Sequence, residues 1–97
     1  MQIVEILNSR AIKQFVREHP DAEAPLREWV AKTRAAEWKN NSDVLKTFRS
    51  ADHLGDQKFI FNIGGSNFRM AAMVWIDKER VYVLKLMTHA EYDRETF

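Results

Sequence analysis

The chain has no cysteine, two prolines, three glycines and three histidines among its 97 residues. Without cysteine there is no disulfide, no thiolate nucleophile and no cysteine-ligated zinc, and the lack fits a reducing compartment. No apolar run approaches the roughly 20 residues that span a bilayer. The first 18 residues contain no basic start followed by an apolar stretch, the mark of a secretory leader. These absences predict a soluble, cytoplasmic protein with no membrane partner. An excess of one charge is missing too: fifteen basic residues face fourteen acidic ones, a net charge of +1. A free-standing nucleic-acid binder is expected to be strongly basic, so any basic site here must be local. No repeat, linker or low-complexity tract interrupts the sequence.

What is present suffices for one domain spanning residues 1–97, with a 45% hydrophobic composition that includes three tryptophans and six phenylalanines. Residues 2–7 read as a first strand. Asn8 and Ser9 are good helix N-caps, and Ile12, Phe15 and Val16 follow at helical spacing until His19-Pro20-Asp21, where the residue before proline leaves the α region. A longer helix carries Pro25 near its first turn and places Leu26, Trp29, Val30 and Thr33 on one stripe. Arg27, Glu28, Lys32 and Arg34 lie opposite that stripe. It is expected to end near residues 38–40, with Trp29 and Trp38 as core residues or docking points for a partner. Ser42 then caps a short turn bearing Val44, Leu45 and Phe48.

After Phe48 the period changes from helical to alternating. Residues 58–63 put Phe59, Phe61 and Ile63 on one face and Lys58, Ile60 and Asn62 on the other. Gly64-Gly65 signals a hairpin. Residues 67–76 continue with Phe68, Met70, Ala72, Val74 and Ile76 on the core face and Arg69 opposite. A two-residue loop pairs Phe61 with Phe68 and a four-residue loop pairs Ile63 with Phe68; either way Lys58, Asn62 and Arg69 share the outer face. Residues 81–87 form a fourth strand. A four-residue loop pairing Ile76 with Val81 turns Val81, Val83, Lys85 and Met87 toward the helices, with Leu84 and Leu86 outward; one residue more or less reverses this. The order β-α-α-(short helix)-β-β-β predicts an α+β fold, a mainly antiparallel sheet with helices packed on one face. Past the last strand, His89, Glu91, Tyr92 and Asp93 cluster. Imidazole is the side chain whose unperturbed pKa lies near neutrality, so acid–base chemistry is expected there. His53 reads as part of a polar loop and His19 as a helix-end residue.

Four segments carry a family resemblance: His19-Pro20-Asp21-Ala22-Glu23-Ala24-Pro25-Leu26, Ala36-Glu37-Trp38-Lys39, Phe61-Asn62-Ile63-Gly64-Gly65 with Arg69, and Thr88-His89-Ala90-Glu91-Tyr92-Asp93. In order and spacing they resemble HigB-type toxins of the RelE-like superfamily, the toxic halves of bacterial toxin–antitoxin pairs. The resemblance implies an mRNA interferase, an endoribonuclease that cuts messages in the ribosomal A site without a metal or other cofactor. The ribose 2′-OH attacks the adjacent phosphate, leaving a 2′,3′-cyclic phosphate and a 5′-OH. That chemistry needs a base, an acid and positive charge for the phosphorane.

By resemblance, Arg69 binds and polarises the phosphate, Lys58 adds charge, and His89 is the general base or acid. Tyr92 stacks on a base or donates its phenolic proton, Asn62, Lys85 and Asp93 contact substrate, and Glu91 and Asp93 orient His89. The implied partners are the ribosome with its mRNA and a HigA-type helix-turn-helix antitoxin, through which alone the pair meets DNA. Leu84 stands where family members often carry Arg or Lys. That departure leaves a second reading, a weak or inactive RelE-like module that binds an antitoxin or the ribosome.

Overall fold

A computed structural model of the chain describes residues 4–94. The strands are β1 (Glu5–Leu7), β2 (Asp52–Gly55), β3 (Lys58–Ile63), β4 (Phe68–Trp75) and β5 (Arg80–Thr88). The helices are α1 (Ser9–Glu18), α2 (Glu23–Arg34), α3 (Asn41–Thr47) and α4 (His89–Arg94). The sheet order is β1-β5-β4-β3-β2, antiparallel except that β1 runs parallel to β5. The expected α+β fold and its mainly antiparallel sheet are therefore present. Gln2 and Ile3, the start of the expected first strand, lie outside the described residues.

Two elements were not expected. β2, with every residue exposed, sits at the sheet edge where no buried face imposes alternation. It takes His53 out of a loop and stacks its ring on Phe59 at 4.5 Å. α4 follows β5 at once and lies on the sheet face opposite the other helices, so one short helix joins the outer face. Smaller boundary differences have local causes. α2 stops at Arg34, and Asn40 rather than Ser42 caps α3, its side-chain oxygen accepting from the Asp43 N–H at 3.0 Å. Asn8 precedes α1 in a left-handed conformation and spends its side-chain amide on the Val83 carbonyl at 2.8 Å instead of capping.

The main core lies between the sheet and α1–α3. Phe15, Leu26, Trp29, Val44, Phe61 and Met70 are buried in it, and Phe48 meets the rings of Trp29, Trp38 and Phe61 at 6.2, 6.3 and 5.1 Å. Trp29 is only 2% exposed, which makes it core and not a docking point. The β3–β4 hairpin adopts the four-residue connection, pairing Ile63 with Phe68. Gly64 turns there at φ +63°, and a Cβ on it would come within 3.4 Å of Pro25 Cγ. The position therefore asks for glycine for its left-handed backbone, while a Cβ would meet α2 only at ordinary contact distance.

The β4–β5 ladder settles the facing of the last strand, which the sequence leaves open, and Ile76 is not the partner of Val81. Val74 pairs with Val81 and Ala72 with Val83, but Ala71 pairs with Lys85, leaving Leu84 without a partner. This β-bulge adds one residue and so resets the two-residue period. Val81 and Val83 face the helices as expected. Beyond Leu84 the faces exchange: Lys85 and Met87 lie on the outer face, and Leu86 packs against the main core.

Candidate active site on the outer sheet face

Arg69 is the centre of the outer face. Register places it between Asn62 on β3 and Met87 on β5. Behind it, Ile60, Ala71 and Met87 form a small buried cluster, and Tyr92 of α4 packs against that cluster. The guanidinium carbon of Arg69 stands 5.3 Å from the centroid of the Tyr92 ring, within cation–π range. One guanidinium nitrogen, Nη1, is buried and has no hydrogen-bond partner in the protein. A buried donor left unpaired costs about 1–3 kcal/mol, more when charged.

α4 is held over the face by a reciprocal cap. The Thr88 N–H donates to the Glu91 carboxylate at 2.8 Å, and the Glu91 N–H donates to the Thr88 hydroxyl at 3.2 Å. This is the capping-box pattern Thr-x-x-Glu. The Thr88 N–H is the main reason the Glu91 carboxyl is held below its ordinary value; the charges of His19 and Lys85 contribute in the same direction, and partial desolvation opposes them. Glu91 thus caps α4, its carboxylate engaged by the Thr88 N–H. The His89 N–H donates to the Asn67 carbonyl at 3.2 Å, tying the start of α4 to the β3–β4 turn. The His89 ring nitrogen Nε2 lies 3.5 Å from Asp93 Oδ2, one helical turn on, and both side chains are exposed.

Lys85 comes to this site through the bulge. Opposite Ala71, it is one strand and two residues from Arg69, about 8 Å between backbones. Asn62 sits beside Arg69, with its amide donating to the Ser50 carbonyl at 3.0 Å, which ties the α3–β2 connection to the sheet. Lys58 shares the face but pairs with Met73, four residues along β4 from Arg69. That is about 14 Å along the strand, so Lys58 is not beside Arg69. Tyr82 and Leu84 are exposed on β5, Leu84 at 42%. His19, read from sequence as structural, meets the Phe15 ring at 4.5 Å and the Phe68 ring at 5.7 Å, both tilted, and contributes to lowering the Glu91 carboxyl. Among the described residues no three His, Asp or Glu side chains are arranged to share a metal ion.

An open five-stranded sheet, with an arginine against an aromatic ring on its outer face and a short histidine-bearing helix after its last strand, defines a small α+β domain. The sequence comparisons name its kind. A profile of the HigB toxin, described as the RelE-like toxic component of a toxin–antitoxin system, matches residues 22–95, and the chain belongs to that family. Similar proteins include the mRNA interferase toxin HigB of Escherichia coli (strain K12) and the mRNA interferase HigB of Shigella flexneri, each 26% identical over 92 residues. The alignments cover 93% of this chain and 88% of each relative. The mRNA interferase HigB of Escherichia coli O6:H1 is 20% identical over 95 residues, covering 96% of this chain and 92% of that protein. As a toxin of such a system, the chain has an antitoxin partner. No helix among the described residues is long and apolar enough to cross a membrane.

Proposed function

We propose that the chain is an mRNA endoribonuclease that cuts messages on the ribosome, with the outer sheet face as its active site. The observation that carries the reading is the Arg69 guanidinium on the outer face, held 5.3 Å from the Tyr92 ring centroid. A planar guanidinium presents forked donors that match phosphate oxygens, and the pentavalent phosphorane carries more charge than the ground-state diester. The relatives' shared name, mRNA interferase, supplies the substrate class.

In this reading the ribose 2′-OH attacks the adjacent phosphorus while the bond to the 5′-oxygen breaks, giving a 2′,3′-cyclic phosphate and a 5′-OH. Arg69 holds the non-bridging oxygens, and Lys85 adds charge from β5. His89, with Asp93 against its ring, moves a proton to or from the reacting oxygens. Tyr92 fixes the guanidinium plane. Asn62 and Lys58 line the RNA path on β3. The antitoxin is of the HigA helix-turn-helix type, the pair meets DNA only through it, and the toxin works in the cytoplasm.

The second reading, an inactive binding module, started from Leu84. The bulge argues against it, because Lys85 offers its charge to the outer face in place of the residue at 84. Mapping message ends in cells expressing the wild type and His89→Ala tests the proposal. New 5′-OH ends within translated frames, reduced in the variant, are expected. Equal growth and intact messages in both would end the enzyme reading.

A further inference from the structure

α4 covers only one end of the outer sheet face. It packs at the Arg69 end, where Tyr92 rests on Ile60, Ala71 and Met87, and among the described residues no helix lies over the other half. One row of register partners crosses that half on four strands: Leu7 of β1, Tyr82 of β5, Met73 of β4 and Lys58 of β3. The next row carries Arg80 and Trp75. Leu7, Met73 and Trp75 are half-buried and Tyr82 is 39% exposed, and none of them packs into either buried cluster. Apolar side chains grouped and left open in this way mark an interaction site.

The chemistry of the patch selects its partner. Trp75 and Tyr82 are diagonal neighbours on β4 and β5, about 7–8 Å apart, so two aromatic side chains stand side by side. Arg80 is taken by Glu5 at 3.3 Å, whereas Lys58 makes no ion pair among the described residues. Aromatic side chains on an open sheet beside a cation suit unpaired RNA, whose bases stack on the rings while the cation meets the backbone. Beneath an apolar protein partner Lys58 would become a buried, unpaired charge. The patch is also continuous with the site at Arg69. Met73 lies four residues from Arg69 along β4 and Trp75 six, about 14 and 20 Å. A single strand held at Arg69 runs onto the patch within a few nucleotides.

We propose that Trp75 and Tyr82, with Lys58 beside them, form a stacking platform for unpaired bases of the message, a few nucleotides from the cut. The proposal rests on the reading of the outer face as the cleavage site. It gives Lys58, which stands apart from Arg69, a backbone phosphate of its own. Every base has a face to stack, so the platform holds the message without choosing its sequence.

The test is steady-state cleavage of message on programmed ribosomes by the full-length chain, with Tyr82→Thr and Trp75→Thr set beside Tyr82→Phe and Trp75→Phe. Threonine removes the ring and keeps strand propensity. Circular dichroism checks folding, and the exposed Tyr82 keeps the test decisive if Trp75→Thr fails to fold. Each threonine variant is expected to raise KM about tenfold, the loss of one base stack, with kcat changed less than about twofold. The phenylalanine variants should restore most of the KM. Messages with single abasic nucleotides, scanned along both sides of the cut, give the second arm. One or two positions should raise the wild-type KM about tenfold and leave that of Tyr82→Thr unchanged. A wild-type KM in folded Tyr82→Thr overturns the proposal, and a loss of antitoxin affinity or of self-association in that protein would give the patch to that occupant instead. Abasic losses equal in the wild type and the variant at every position also overturn it. Wild-type cleavage by Arg69→Ala would instead remove the active-site reading, so the two failures are distinct.

Discussion

The guanidinium carbon of Arg69 lies 5.3 Å from the centre of the Tyr92 ring, so a side chain from β4 is braced by one from the helix that follows β5. The ring itself rests on Ile60, Ala71 and Met87. That stack gives Tyr92 a positioning role through its ring face. Tyr92→Phe should therefore keep most of the cleavage rate. Tyr92→Ala should lose the cation–π contact, about 0.5–1 kcal/mol, and cleave up to about fivefold more slowly. Single-turnover cleavage of ribosome-bound message reads both; a large loss in Tyr92→Phe would assign the phenolic proton a direct part.

Leu84 is expected to be dispensable for the fold. It is the unpaired residue of the bulge, and without it Val83, Lys85, Leu86 and Met87 keep the faces they now have. Deleting Leu84 should leave a folded protein with an unbroken β4–β5 ladder. Deleting Ala72 of β4 should unfold it, because β4 pairs with β3 without a spare residue and the faces beyond the deletion would exchange. Thermal unfolding of the two deletions makes the comparison. Similar losses in both would contradict the bulge assignment.

Much of this geometry was legible in the residues. The alternation from Lys58 to Ile63 and from Phe68 to Trp75, joined at Gly64-Gly65, located the hairpin and set Arg69 and Asn62 on one face. The bulge was not legible, because one unpaired residue changes no pattern until the partner strand is known. β2 escaped because an exposed edge strand needs no alternation. α4 had a signal, Thr88-x-x-Glu91, which is a capping box hidden inside a cluster that invited a chemical reading. Lys58 shows the limit of face assignment: it shares a side with Arg69 yet stands four residues away along the ladder.

The cap makes α4 sensitive to acid. Glu91 has its carboxyl lowered from the ordinary 4.5, first by the Thr88 N–H. A carboxylate lowered in the folded state stabilises above its unfolded value and loses that contribution as pH falls through the folded value. α4 should therefore stay docked above pH 4.5 and fray as pH drops below it, before the β3–β4 hairpin opens. Glu91→Gln should remove this step, and Thr88→Ala should cost about 1 kcal/mol at neutral pH. Amide exchange across His89–Arg94 as a function of pH checks this.

The central claim is that Arg69 takes the scissile phosphate, and the rate of message cleavage on programmed ribosomes tests it most directly. Arg69→Ala should fall by about 100- to 1,000-fold, the usual loss when one donor to a developing oxyanion is removed. Arg69→Lys should recover part of that rate, since it restores charge without the planar fork. A folded Arg69→Ala protein that cuts at the wild-type rate would contradict the assignment.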